Sequence, residues 1–364
     1  MLETINRLTK MLGVDVPIVQ APMAGSAGLD MAVAVAGAGG LGSLACAPLD
    51  AQGLKDLLQA AAKATNKPLN FNFFCHKPPK ENPEQDAAWL DKLSPYFDEI
   101  CLDKPQSLQM NSLQSFDEDR CAVIEAQPPA VVSFHFGLPE DAFVQRLKAA
   151  GVKVMSSATT VDEARYLEAH GCDVIIAQGL EAGGHRGMFL TDDPLTQTGT
   201  MALVPQIVDA VQVPVIAAGG IADGRGIVAS LALGASAVQM GTAFLFAEQA
   251  TVSDVYRMQL RDAGSQHRAV SNVFSGRPTR CLVNRMMRET GPLSLDAPAF
   301  PKGFAATGPL RIKAEQVNIR DFSPHYCGQA AALGKSTTVA RLMQDLITQT
   351  RHLAADFEGW APWI

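Results

Sequence analysis

The stretch Thr160-Val-Asp-Glu-Ala-Arg-Tyr-Leu-Glu-Ala-His-Gly-Cys-Asp-Val-Ile-Ile-Ala177 decides the fold. Its first part is written as a helix. Thr160 and Glu163 form the T-x-x-E capping signature, and Gly171 stands where a C-cap glycine belongs. Its second part, Asp173 to Ala177, is a β-branched apolar run that reads as a buried parallel strand. A helix, one glycine and a buried strand make one αβ step. If the step recurs, the sheet is parallel and covered by helices.

The step does recur. Apolar strand-like runs stand at Val16–Ala21, Gly40–Ala45, Pro68–Phe74, Ala130–Phe136, Val152–Ser157, Val213–Ala218 and Ala235–Met240. With Asp173–Ala177 they make eight. Helical patterns lie between them, most clearly at Asp50–Thr65, Pro139–Ala150 and Asp223–Leu233, and Gly151 and Gly234 repeat the C-cap placement of Gly171. Eight such units closing on themselves form a (β/α)8 TIM barrel, an α/β fold. A doubly wound sheet is the rival, but it usually has fewer strands and a G-x-G-x-x-G turn after the first, which is absent here.

Two segments break the rhythm. Residues 77–127 separate the third and fourth strands and are too long for one helix. Residues 247–324 show no βα repeat; Ser253–Ala263 looks helical and Thr290–Thr307 reads as loop. The expected organisation is a barrel over 1–246 with an insertion at 77–127. A smaller, mainly helical region at 247–324 would lie over the barrel mouth, on the substrate side. Residues 325–364 would return to the barrel through a closing helix near Gly334–Leu353.

Composition narrows the class. The chain has 364 residues, 47% of them hydrophobic, and a formal charge of −7. No basic stripe points to nucleic acid. The seven cysteines form no C-x-x-C pair, which reads as a reduced, intracellular chain with neither a disulfide framework nor a metal site. The first residues lack a signal-peptide core, and no apolar run reaches membrane-spanning length. A cytoplasmic enzyme is expected.

In this fold the chemistry sits at the C-terminal strand ends. The sixth strand runs into Gln178-Gly-Leu-Glu-Ala-Gly-Gly-His-Arg-Gly187. Gly183 and Gly184 let the backbone approach a flat ligand, and His185 offers an imidazole that exchanges protons near neutral pH. Gly219 and Gly220 after the seventh strand, with Gly241 and Thr242 after the eighth, bring N–H groups and a hydroxyl to the usual phosphate position. Pro22 and Met23 follow the first strand and are placed to lie against a ring. Asn72 and Gln178 are amides suited to ring edges, although simple solvation accounts for either alone. Together these residues favour a flavin, and FMN over FAD because no dinucleotide motif appears.

Gln20-Ala-Pro-Met-Ala-Gly25, Glu181-Ala-Gly-Gly-His-Arg-Gly187, Ala218-Gly-Gly-Ile221, Gln239-Met-Gly-Thr242 and Tyr326-Cys-Gly-Gln329 occur in order along the chain. The set resembles the motifs of the nitronate monooxygenase family, formerly 2-nitropropane dioxygenase. The A-G-G-H-R-G run and Ser133-Phe-His-Phe-Gly137 resemble its class I branch. Tyr326-Cys327 departs from the Trp-Ser pairs of many relatives and leaves the pocket shape open. The resemblance implies FMN contacted by Met23, Asn72, Gln178, Gly183, Gly219, Gly220, Gln239, Gly241 and Thr242, with His185 as catalytic base. It implies oxidation of a nitronate with O2 to a carbonyl compound and nitrite. His135, at the fourth strand end, is placed to bind the nitro oxygens, with strand capping or flavin contact as alternatives. Two other readings stay open: an FMN-dependent NAD(P)H oxidoreductase acting on enoyl thioesters or quinones, and a flavin- or phosphate-binding protein without catalysis. No nicotinamide site is evident in the sequence.

Overall fold

The computed structural model describes residues 2–109, 113–262, 264 and 266–358. In chain order its strands begin with β1 (Ile18–Gln20), β2 (Gly42–Ala45), β3 (Leu69–Phe74), β4 (Val131–His135), β5 (Lys153–Ala158) and β6 (Val174–Gln178). A two-residue strand, β7 (Gly184–His185), then leaves the barrel before β8 (Val215–Ala218) and β9 (Ala237–Met240). All but β7 form one eight-stranded parallel sheet in the order β1-β9-β8-β6-β5-β4-β3-β2. A parallel bridge from Val19 to Leu41 joins its two edges. The Gln20 N–H donates to the Leu41 carbonyl at 2.9 Å, and the Leu41 N–H to that of Ile18 at 3.0 Å. The sheet therefore closes into a barrel and leaves no open edge, which removes the doubly wound alternative.

Side-chain alternation divides each strand between two cores. In β6, Val174 and Ile176 point inward and join Val19, Leu41, Val131, Met155, Ile216, Ala218 and Ala237 in the barrel interior. Ile175 and Ala177 point outward and pack with Leu203, Val204 and Ile207 of the helix Thr200–Ala210. The lower end of the barrel is stoppered by the helix Leu2–Leu12, whose Leu8 and Leu12 belong to the interior cluster. The closing helix Val339–Glu358 lays Val339, Met343 and Leu346 on the core that includes Met31 and Val35.

The same parity builds the floor of the mouth. In four strands the inward positions change from apolar to polar towards the C-terminal end. β4 reads Val131, Ser133, His135; β5 reads Met155, Ser157; β6 reads Val174, Ile176, Gln178; and β9 reads Ala237, Gln239. In these strands the residue period sets polar side chains above an apolar interior.

Beyond the barrel, β10 (Arg268–Ser271) and β11 (Thr279–Leu282) pair antiparallel, and β11 pairs with β7 through Thr279–His185 and Arg280–Gly184. The segment expected to be mainly helical therefore also carries two strands. The helix Gly303–Gln316 begins inside the stretch read as loop. Gly303, Gly308 and Pro309 hide it from propensity, while burial of Ala306, Leu310 and Ala314 holds it in place. Its core is shared with the insertion: Trp89, Leu93 and Phe97 of the helix Pro83–Glu99 pack in the same cluster as Phe274, Met287 and Phe322. Lys302, itself buried, joins Glu81 at 2.7 Å and Asp86 at 2.8 Å across this contact. Among the described residues no helix is long and apolar enough to cross a membrane.

Candidate active site

Three inward residues of the floor fix the loop that carries His185. Gln178 donates from Nε2 to the His185 carbonyl at 2.9 Å and accepts from the Gly187 N–H at 2.7 Å. His135 Nε2 lies 3.2 Å from the same His185 carbonyl. A carbonyl only accepts, so Nε2 carries the proton, and Nδ1 accepts from the Ser157 hydroxyl at 3.1 Å. Burial pushes the His135 imidazole down to about 4, which keeps it neutral in this role. Both ring nitrogens of His135 are therefore engaged within the protein.

The next residue locks the loop from below. Arg186 is fully buried and donates to the carbonyls of Gly179 and Gln178, each at 2.7 Å, and to Gln197 Oε1 at 2.8 Å. Burial lowers it to about 9, so it remains a cation near neutrality. Glu163 also serves the site. The capping-box geometry forms only in part: Thr160 Oγ1 accepts from the Glu163 N–H at 3.2 Å. The Glu163 carboxylate turns instead to the N–H and hydroxyl of Thr159, both 2.7 Å, and to the Phe189 N–H at 2.6 Å. That turn anchors the far side of the His185 loop.

The imidazole of His185 faces a different set of residues. Its Nε2 lies 3.0 Å from Ser275 Oγ, and the Ser275 hydroxyl reaches the Arg277 carbonyl at 3.2 Å. With the hydroxyl proton directed to that carbonyl, Nε2 bears the N–H and Nδ1 keeps the lone pair. The rings of Phe300 (5.4 Å), Phe136, Phe304 and Tyr326 (each 5.8 Å) and Phe74 (6.2 Å) surround it. Desolvation, then the fields of His135, Arg277 and His76, drive His185 down to about 3. It is held as a neutral imidazole. His76 is likewise buried, at 5% exposure, and pushed down to about 4 by burial and Arg277.

Sequence order hides how these pieces meet. Thr279 of β11 is opposite His185, and Cys281, two residues on, bridges to Tyr326. Directly opposed residues share a face, so His185 and Tyr326 flank β11 on the same side. The Tyr256 hydroxyl donates to the Tyr326 carbonyl. The following Cys327-Gly328 backbone lies against Gly183, where a Cβ would come within 2.6 Å of it. Gly183 is thus required by the approach of another chain segment.

The remaining candidates ring the barrel top. Asn72 donates from Nδ2 to the Ser133 hydroxyl at 2.9 Å and to its carbonyl at 3.2 Å. Gly219 and Gly220 take φ of +117° and +70°, which a side chain would resist. Thr242 Oγ1 accepts from the Gly328 N–H at 2.9 Å. A Cβ on Gly241 would lie 3.6 Å from Met23 Sδ, which places the loops after β1 and β9 side by side. Gln239 Oε1 is buried without a hydrogen-bond partner among the described residues. A desolvated acceptor beside glycine turns is the arrangement a polar-edged ring with a phosphate tail requires, so the residues fit a flavin mononucleotide. Ser275, Arg277, Phe300 and His76 joined the site without a sequence signal. Tyr326 had one, its departure from the family pattern.

The family model for nitronate monooxygenase matches residues 6–349. The nitronate monooxygenase of Pseudomonas aeruginosa is 41% identical over 95% of this chain and 99% of its own. That of Paraburkholderia phytofirmans is 39% identical over 93% of each. Among solved structures, nitroalkane oxidase from Streptomyces ansochromogenes superposes with a TM-score of 0.88 at 34% identity, covering 96% of this chain and 99% of that one. FabK from Thermotoga maritima gives 0.74 at 26% identity, over 97% and 98%. Motif order, barrel geometry and near-complete coverage converge: the chain belongs to the nitronate monooxygenase family.

Proposed function

We propose that this protein is a cytoplasmic, FMN-dependent nitronate monooxygenase that oxidises alkyl nitronates such as propionate 3-nitronate with O2 to a carbonyl compound and nitrite. The observation that carries the reading is a neutral His185, clamped through its own carbonyl by His135 and Gln178, with an imidazole lone pair on the aromatic side of the barrel mouth.

Met23, Asn72, Gln178, Gly183 and Gln239 would hold the flavin ring, and Gly219, Gly220, Gly241 and Thr242 its phosphate. When bound, FMN supplies the electron exchange with substrate and oxygen that no side chain can provide. The protein's own part is acid–base and positional. His185 Nδ1 takes the α-proton of a neutral nitroalkane, while Ser275 holds Nε2 and so fixes which nitrogen is basic. The resulting imidazolium is buried beside Arg277, which favours prompt return of the proton to solvent. A nitronate that arrives already deprotonated does not need this step. His135 supports the loop through backbone contact and acts as a positioning residue. The rings of Phe74, Phe136, Phe300 and Phe304 exclude water from the reacting carbon.

The test is oxygen uptake by the flavin-loaded protein given propionate 3-nitronate without NAD(P)H. Uptake with nitrite release is expected. The second reading is an FMN-dependent NAD(P)H oxidoreductase acting on enoyl thioesters or quinones. Anaerobic bleaching of the flavin by NADH, with no oxygen uptake on nitronates, would establish that reading instead.

A further inference from the structure

Arg277 stands in the wall of the mouth with few partners for its charge. Its side chain is 20% exposed. The guanidinium carbon lies 4.4 Å from the ring centre of Phe136 and 5.8 Å from that of Phe300. Both rings also touch His185. Its acceptors are loose: Nη1 reaches the Met188 carbonyl at 3.3 Å, and Nη2 lies 3.7 Å from Asp192, whose side chain is 93% exposed. Five N–H donors are available on a guanidinium, and among the described residues these contacts occupy at most two. Buried Glu163 also lies within electrostatic reach, but N–H and hydroxyl groups of Thr159 and Phe189 already take its oxygens. A mostly buried cation with donors to spare, set over the rings that surround His185, is suited to an anion.

The rings also determine which anion. Phe136 and Phe300 each lie against both the guanidinium and His185, so the two polar groups share one aromatic wall and can engage two groups of one ligand. On the reading of the site as a nitronate oxidase, we infer that Arg277 is a specificity-determining residue that holds a second anionic group of the substrate. That group is carried away from the reacting carbon, and a carboxylate is the chemical class that fits. The guanidinium fork matches a flat, two-oxygen partner, and its place over the Phe136 ring limits where that partner can sit. Nitronates with an uncharged tail would bind without it.

The experiment compares propionate 3-nitronate with ethyl nitronate on the flavin-loaded wild type, Arg277→Met and Arg277→Lys. In Arg277→Met, kcat/KM for propionate 3-nitronate should fall about 30-fold or more through KM, as expected for loss of a charge-paired contact. Ethyl nitronate should change by less than about threefold. Arg277→Lys should recover part of the loss, and added salt should narrow the wild-type preference. Equal losses on both substrates would overturn the inference and make Arg277 a support for the fold or for His185. Unchanged kinetics on both would overturn it as well, while leaving the proposed activity standing. A wild type that oxidises neither nitronate would remove the proposed activity, and this inference with it.

Discussion

At the scale of single residues, the site separates holding from reacting. His135 engages both ring nitrogens, and Arg186 donates from Nε, Nη1 and Nη2, to fix the loop. His185 has a hydrogen-bond partner at Nε2 and, among the described residues, none at Nδ1. His185→Asn should therefore abolish turnover of neutral nitroalkanes and spare preformed nitronates more, read by nitrite release on each. Equal loss on both would remove the general-base role. Because burial holds His185 near 3, its base form persists well below the usual imidazole range. The kcat/KM for a neutral nitroalkane should stay level from pH 7 to pH 5; a fall centred near 6.5 would show an ordinary, solvated imidazole. Ser275→Ala frees Nε2 and lets the two tautomers mix. A loss of about 10-fold in kcat on nitroalkanes is expected, with binding of flavin unchanged by its absorbance.

At the scale of elements, the eight barrel strands were legible because each is a short, largely apolar run, most of them bounded by glycine. The inward polar layer was partly legible too, since Asn72, His135, Gln178 and Gln239 stand at strand ends. The pairing of β7 with β11 was not. These strands are two and four residues long, and Thr279-Arg280-Cys281-Leu282 has no hydrophobic period to betray it. Nor does a local pattern show that Tyr326 will lie beside His185, because that contact passes through a third segment. The helix Gly303–Gln316 was lost to its glycines and proline for a related reason: tertiary burial outweighs propensity. The N-terminal helix makes a sharper point. Leu8 is 1% exposed and fills the bottom of the barrel. Leu8→Ala should cost about 2–5 kcal/mol in urea unfolding, as deletion of a packed leucine does, and leave the KM for nitronates unchanged because the mouth is at the other end.

At the scale of the whole molecule, the fold stores neutral histidines. His76 and His325 are each about 5% exposed or less and are held down to about 4, chiefly by burial. In the unfolded chain they titrate near 6.5. As pH falls below 6.5 the unfolded state takes up protons that the native state refuses, so stability drops until the folded values are passed. Above 6.5 the effect vanishes. Between pH 6.5 and 5 each contributes a loss of up to about 2 kcal/mol. The urea midpoint at pH 5 should lie below that at pH 7, and His325→Phe should reduce the difference.

The docking of Cys327-Gly328 against Gly183 also has a consequence for the order in which a nascent chain matures. The last barrel strand ends at Met240, whereas β11, Ser275 and the segment around Tyr326 follow it in the sequence. A ribosome can therefore finish every stave of the barrel while the histidine loop still lacks the strand that pairs with it and the backbone that presses on it. The proposed site is therefore completed near the end of synthesis, after every strand of the barrel has been made.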